Sequence, residues 1–164
     1  MNGLDLAKEN GLITAAAYVI DKSKWPRGLW DDELDYLEWT DEATGLPCRM
    51  IRNDHGGFWL GYVAVTADHP YFQKEYGSEG PISLDVHVEL TFSGGFPDRP
   101  DSQWWFGFDC GHLWDCKPGR SDEAVFFERG RQSYCTQDYV KSEVTKLACQ
   151  LKDVDVNLIT QEAE

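Results

Sequence analysis

A chain of 164 residues fits one folded domain, and its 41% hydrophobic and 27% charged residues argue against general disorder. Acidic residues outnumber basic ones by 29 to 15, and the formal net charge of −14 disfavours direct binding to nucleic acids and to anionic membranes. Seven tryptophans, within an aromatic content of 13%, indicate a core or a binding face built from large flat side chains.

The number of cysteines and the N-terminal residues indicate the cellular compartment of the protein. The five cysteines are odd in number, and no basic segment precedes the first apolar run, as it would in a signal peptide. No apolar run reaches the roughly 18 residues of a membrane span. We therefore expect free thiols in a reducing cytoplasm and no membrane partner. We also expect a single domain over residues 1–152, followed by an acidic tail over residues 153–164.

The first half of the chain predicts one hairpin. Residues 14–20 fit either a short helix or a strand, and a loop-rich layer with several tryptophans follows. From Cys48 the sequence reads as a strand to Arg52, a turn over residues 53–57, and a second strand from Phe58 to Val65. Aromatic and β-branched residues around a glycine-rich turn are typical of a β-hairpin.

Two further strands are predicted after this hairpin. Ser83 to Phe92 alternates apolar and polar residues, which places His87 on the face opposite the apolar one. Gln103 to Cys110 has the aromatic content of another strand, with Trp105 and Asp109 on one face and Cys110 on the other.

The last element predicted is a helix beginning near Thr136 or Asp138, with Asp138 as a possible N-cap. Its apolar residues recur with helical spacing: Val140, Val144, Leu147, Ala148 and Leu151. The elements together predict an α+β fold, in which an antiparallel sheet of about four to six strands carries the C-terminal helix on one face.

Potential catalytic groups concentrate in the segment WWFGFDCGHLWDC, from Trp104 to Cys116. Cys110 could act as a nucleophile, with His112 or His87 as its base and Asp109 or Asp115 orienting the imidazole. The alternative is that Cys110 is a small buried hydrophobic residue. Whether the protein is an enzyme stays open at this point.

The same segment has ligand-type side chains for zinc in Cys110, His112 and Cys116, with Asp109, Asp115 or His87 as additions. A structural zinc site normally combines two paired ligand clusters, and the second pair is missing from this sequence. We therefore predict neither a metal nor a cofactor.

A third interpretation is a ligand pocket. Trp104, Trp105, Trp59 or Trp114 could stack a flat or cationic group, with His87, Asp109 and His112 supplying polar contacts. The alternative is that these tryptophans fill the core between sheet and helix.

Three segments of the chain carry a resemblance to known sequences: DEATGLPCRMIRN, GYVAVTADHPYF and WWFGFDCGH. They are similar to an uncharacterised family of small phage and prophage proteins, and the resemblance covers the chain from about Tyr36 to Leu151. The family pattern reads roughly GLPC…RN…GYV.V..GHP…VHGGLT…WWFGFDCAHAGD. Val88-Glu89 replaces its glycine pair, and Leu113-Trp114-Asp115 replaces its Ala-Gly-Asp. The matching positions are Cys48, Arg52, Asn53, Gly61, Tyr62, His69, Pro70, His87, Trp104, Trp105, Asp109, Cys110 and His112.

The resemblance implies a phage-type accessory protein, and small proteins of this kind often counter host defences. Tyr62 and Arg52, which match the pattern, complete the candidate binding residues. We expect a protein that acts by binding, either to a basic host protein through its acidic surface or to a small ligand in the aromatic and His/Cys pocket. The alternative is a hydrolase or transferase that uses Cys110 with His112 or His87. The sequence predicts no oligomeric state.

Overall fold

The framework of the protein is a five-stranded antiparallel sheet, seen in a computed structural model that describes residues 18–120, 130 and 132–161, with side chains up to residue 154. The spatial order of the strands is β1-β2-β3-β5-β4. Their bounds are β1 Tyr36–Thr40, β2 Pro47–Arg52, β3 Trp59–Thr66, β4 Phe92–Gly94 and β5 Gln103–Asp109. The helix α1 (Gln137–Gln161) packs on one face against β2 and β3, so the predicted α+β fold is confirmed. Short 3-10 helices lie at Leu29–Asp32 and Pro81–Ser83.

The predicted hairpin is confirmed in β2 and β3, which pair from Cys48 opposite Val63 to Arg52 opposite Trp59. Its turn is closed by the Asn53 amide, which donates to the Phe58 carbonyl at 2.8 Å. The Asn53 side-chain oxygen also accepts a hydrogen bond from the Gly56 amide at 2.6 Å. Gly57 has a φ of +76°, a conformation that glycine adopts without the steric penalty of a side chain.

The alternation along β5 divides its side chains between the two faces of the sheet, as predicted. Phe106, Phe108 and Cys110 belong to the main core under α1. Trp105 instead packs with Tyr62 in a smaller cluster on the opposite face. The order of polar and apolar residues was therefore sufficient to assign the faces of this strand.

The predicted helical spacing is also confirmed. The five apolar residues from Val140 to Leu151 are fully buried, and burying each valine or leucine stabilises the fold by about 1.5–3 kcal/mol. Asp138 is not the N-cap, because the Thr136 hydroxyl oxygen accepts the hydrogen bond from the Tyr139 amide at 3.2 Å. The helix continues to Gln161, beyond the residue at which the acidic tail was expected to begin.

The strand predicted over Ser83–Phe92 is wrong, since the sheet receives only Phe92–Gly94 from this region. Leu84 and Val86 are buried as the alternation required, but the chain then bends at Val88. Val88 has a φ of +61°, and the Glu89 amide donates to the His87 carbonyl at 2.8 Å. This hydrogen bond between residues two apart closes a γ-turn, which reverses the chain and leaves Val88 exposed.

The helix or strand expected over residues 14–20 lies largely outside the described residues, and so does much of the loop between Gly111 and Ser133. In the part of the chain that is described, no helix has the length and apolar character needed to cross a membrane.

Candidate functional site

Titratable side chains from three separate segments meet where β5 ends and α1 begins. His87 comes from the bend before β4, Cys110 follows β5 directly, and Cys135 precedes the first turn of α1. The loop after β5 adds His112 and Asp115. We call these five residues, with Tyr139 of α1, the His/Cys cluster.

The Asp115 carboxylate contacts both histidines of the cluster. Both of its oxygens lie 3.0 Å from His87 Nε2. Its Oδ2 also accepts a hydrogen bond from the His112 amide at 3.0 Å and lies 3.0 Å from His112 Nδ1. Because the Asp115 side chain is only 7% exposed, these contacts replace the water that would otherwise solvate the carboxylate.

His87 is oriented from both sides of its ring. The γ-turn at Val88 directs the chain back at this point, and the Tyr139 hydroxyl lies 2.8 Å from His87 Nδ1. The opposite nitrogen, Nε2, lies 3.0 Å from Asp115 and 3.6 Å from Cys135 Sγ. Nδ1 is therefore held at the surface by Tyr139, while Nε2 faces the interior of the cluster.

The contacts between His87 and Asp115 make both groups ionised at neutral pH. Hydrogen bonding to Asp115, followed by that to Cys135, raises the pKa of His87 to about 11. Burial opposes ionisation of Asp115, but the hydrogen bonds from His87 and His112 outweigh it and lower the pKa of Asp115 to about 2. The two side chains form a largely buried ion pair.

The two thiols of the cluster differ in their acidity. A hydrogen bond with Cys110 outweighs burial and, with the contact to His87, lowers the pKa of Cys135 to about 7. The same hydrogen bond, together with burial, raises the pKa of the Cys110 thiol far above its usual value. Cys135 is thus the thiol that ionises, and Cys110 keeps its proton.

A buried arginine fixes the segment that carries Cys135. The Arg52 guanidinium, fully buried, donates to the Asp35 carboxylate at 2.7 Å and to the Tyr134 hydroxyl at 2.7 Å. Tyr134 in turn donates to Glu33 at 2.5 Å. The Gln137 amide, on the other side of Cys135, also donates to Glu33. The residues on both sides of Cys135 are thereby attached to the chain ahead of β1.

The predicted catalytic residues are close together. His87, Cys110 and His112 lie within the cluster, and Asp109 lies beside it, with its Oδ1 3.7 Å from His112 Nδ1. Cys110 is 1% exposed, so the alternative of a buried thiol describes its environment correctly. Cys116 is also buried, but it belongs to neither group of metal-ligand-type side chains found among the described residues.

The predicted binding residues lie elsewhere and do not form one surface. Trp59 and Arg52 are fully buried on the helix side of the sheet, where the guanidinium lies 4.4 Å from the indole ring centre. Trp105 and Tyr62 are buried on the other face. Trp104 is half-buried, and its indole N–H donates to the Lys74 carbonyl at 2.9 Å. The full burial of Trp59 and Trp105 leaves neither ring face open to a ligand.

The sequence did not single out Cys135 or Tyr139, and it treated Asp115 only as one of several possible carboxylates. One weak signal was present for Cys135, since it directly precedes the predicted start of a helix, where thiols are often ionised. Tyr139 carries no such signal. Comparison with protein-family models, with curated proteins and with solved structures finds no match to this chain, so the phage-family resemblance stays a prediction.

Proposed function

We propose that the protein acts by binding a basic partner protein through apolar side chains exposed beside the His/Cys cluster. Eight large apolar side chains are exposed among the described residues, and four of them adjoin cluster residues or belong to the cluster. These four, here called the apolar rim, are Val88 at 66%, Leu113 at 74%, Trp114 at 72% and Tyr139 at 40% exposure. This concentration carries the proposal, because exposed apolar patches on soluble proteins commonly mark interaction surfaces.

The rim residues are held in place by hydrogen bonds. The Leu113 carbonyl accepts one from the Gln132 side chain at 3.1 Å, and the Trp114 carbonyl accepts one from the Ser133 amide at 3.0 Å. Tyr139 is joined to His87 through its hydroxyl. A surface that is already ordered loses little conformational entropy when a partner binds.

Charge indicates the chemistry of the partner. Glu89 and Asp138 are exposed and directly adjoin Val88 and Tyr139 of the rim, and the whole chain carries a net charge of −14. Arginine and lysine side chains would meet carboxylates here and could stack on the exposed Trp114 ring. In the phage setting that the sequence resemblance implies, such a partner would be a basic host defence protein in the host cytoplasm.

The test is binding of a fluorescein-labelled arginine-rich peptide, followed by anisotropy at low and at physiological salt. We expect Leu113→Ala and Trp114→Ala each to weaken binding about tenfold, which corresponds to about 1.4 kcal/mol of lost contact. Leu29→Ala is the matched control, since Leu29 is 57% exposed and lies outside the rim. Equal affinities of all three variants would mean that charge alone attracts the peptide, and the proposal would be wrong.

A second candidate is the Cys-dependent hydrolase or transferase, now with Cys135 as the nucleophile. The observation in its favour is the lowered pKa of Cys135, about 7, beside His87. The geometry is against it, because a triad places thiol and carboxylate on opposite imidazole nitrogens, whereas both approach His87 Nε2 here. Alkylation by iodoacetamide at neutral pH tests this candidate: Cys135 should react faster than the exposed Cys149, and slower reaction would exclude it.

A further inference from the structure

We propose that His87, Cys110 and Cys135 bind a zinc ion, with Asp115 in the fourth position. One ligand-type atom from each of the first three residues lies within 4.8 Å of the other two. Thiolate, imidazole and carboxylate are the ligand types that zinc takes in proteins. The inference is independent of partner binding, which uses the exposed rim and requires no metal.

The distances among His87, Cys135 and Asp115 are close to those of a tetrahedral zinc site. With Zn–S of about 2.3 Å and Zn–N or Zn–O of about 2.0 Å, adjacent ligands of a tetrahedron lie about 3.5 Å apart when one is sulfur and about 3.3 Å apart when neither is. Cys135 Sγ lies 3.6 Å from His87 Nε2 and 3.6 Å from Asp115 Oδ1. His87 Nε2 lies 3.0 Å from Asp115 Oδ1. These three atoms are spaced as ligands of one zinc ion, and Cys110, which lies within 4.8 Å of the ligand atoms of His87 and Cys135, would move towards them to complete the set of four.

The outer contacts of the ligands are also those of a metal site. A zinc-binding imidazole normally uses its second nitrogen in a hydrogen bond that fixes the ring, and Tyr139 provides this bond to His87 Nδ1 at 2.8 Å. Asp115 Oδ2 is held by the His112 amide, which leaves Oδ1 on the side of Cys135. His87 and Asp115 therefore each have one atom directed into the cluster and another held by the surrounding protein.

A metal also accounts for two features that a catalytic triad does not. Thiol and carboxylate approach the same imidazole nitrogen, as ligands of one ion must. Cys110, Cys135 and Asp115 are at most 6% exposed, which suits a closed four-ligand site of the structural type. On binding, zinc takes the place of the remaining thiol protons and of the proton on His87 Nε2, and these protons pass to the solvent.

The first experiment measures metal content and cobalt binding in the purified protein. We expect about one zinc per chain, and after its removal by a chelator a Co²⁺ complex with thiolate-to-cobalt charge-transfer absorption. Cys110→Ser and Cys135→Ser should each weaken this absorption, because each removes one sulfur ligand. Cys149→Ser is the matched control, since Cys149 is exposed and lies outside the cluster, and its spectrum should equal the wild-type one.

The second experiment uses a variant that changes one hydroxyl and leaves the packing intact. Tyr139→Phe removes the hydrogen bond to His87 Nδ1 and should lower zinc affinity about 10-fold to 100-fold in competition with a chromophoric chelator. Tyr76→Phe, at an exposed tyrosine outside the cluster, should leave the affinity unchanged. A folded wild-type protein that takes up neither zinc nor cobalt would overturn the proposal, as would a Cys135→Ser variant with an unaltered cobalt spectrum.

Discussion

Replacing Arg52 by methionine should destabilise the protein by about 3–5 kcal/mol, the usual result of removing one partner from a buried ion pair. The five N–H donors of Arg52 each meet an acceptor, at distances from 2.7 to 3.3 Å, and its side chain is fully buried. Methionine fills much of the same volume but leaves Asp35 and Glu33 without their guanidinium. Because domains of this size unfold with about 5–15 kcal/mol, the loss is a large part of the total.

Urea unfolding followed by far-UV circular dichroism measures this loss. Arg27→Met is the control, because the Arg27 side chain is 94% exposed and its ion pair with Asp31 should contribute little. Adding Glu33→Gln to Arg52→Met should recover part of the stability, since Asp35 keeps its ion pair with Lys22 at 2.5 Å whereas Glu33 loses its guanidinium partner. A loss below about 1 kcal/mol for Arg52→Met, or one equal to that of Arg27→Met, would refute the reasoning.

Two further substitutions test packing and backbone strain, both by the free energy of unfolding. Gly107→Ala should cost about 1–3 kcal/mol, because its Cβ would lie 2.3 Å from the Tyr62 ring, whereas Gly77→Ala has no atom within 4 Å and should be nearly neutral. Equal stabilities of these two variants would contradict the packing of Tyr62 over β5. Val88→Gly should raise the free energy of unfolding by up to about 1 kcal/mol. The substitution removes the cost of a left-handed valine, about 1–2 kcal/mol, but glycine also gives the unfolded chain more conformational entropy, which offsets part of that gain. A destabilised Val88→Gly protein would mean that the γ-turn carries no strain.

The fold could be predicted wherever a periodic pattern continued through a whole element. The helical spacing of Val140, Val144 and Leu147 and the alternation along β5 both correspond to buried faces. The pattern failed at Val88, where a valine occupies a left-handed position that glycine would have signalled.

The candidate site could be predicted only in part, for a physical reason. His112 and Asp115 lie close to Cys110 in the sequence, and a local pattern could identify them. Cys135 and His87 reach the same place only because α1 packs on the sheet and the chain turns back at Val88. Such contacts depend on tertiary packing, which leaves no fixed spacing between ligands in the sequence.

The order of the strands in the sheet suggests which parts of the protein fold first. β1, β2 and β3 follow one another along the chain and can pair locally, whereas β5 pairs with β3 only after the long connection from Thr66 to Gln103 has closed. Closing that loop costs chain entropy before its contacts form, so we expect β5 to join the sheet after the first three strands have paired. Cys110 directly follows β5 and meets Cys135 only when α1 has also docked. We therefore expect the His/Cys cluster to be among the last parts of the molecule to form, so that its completion would distinguish the finished protein from a partly folded form.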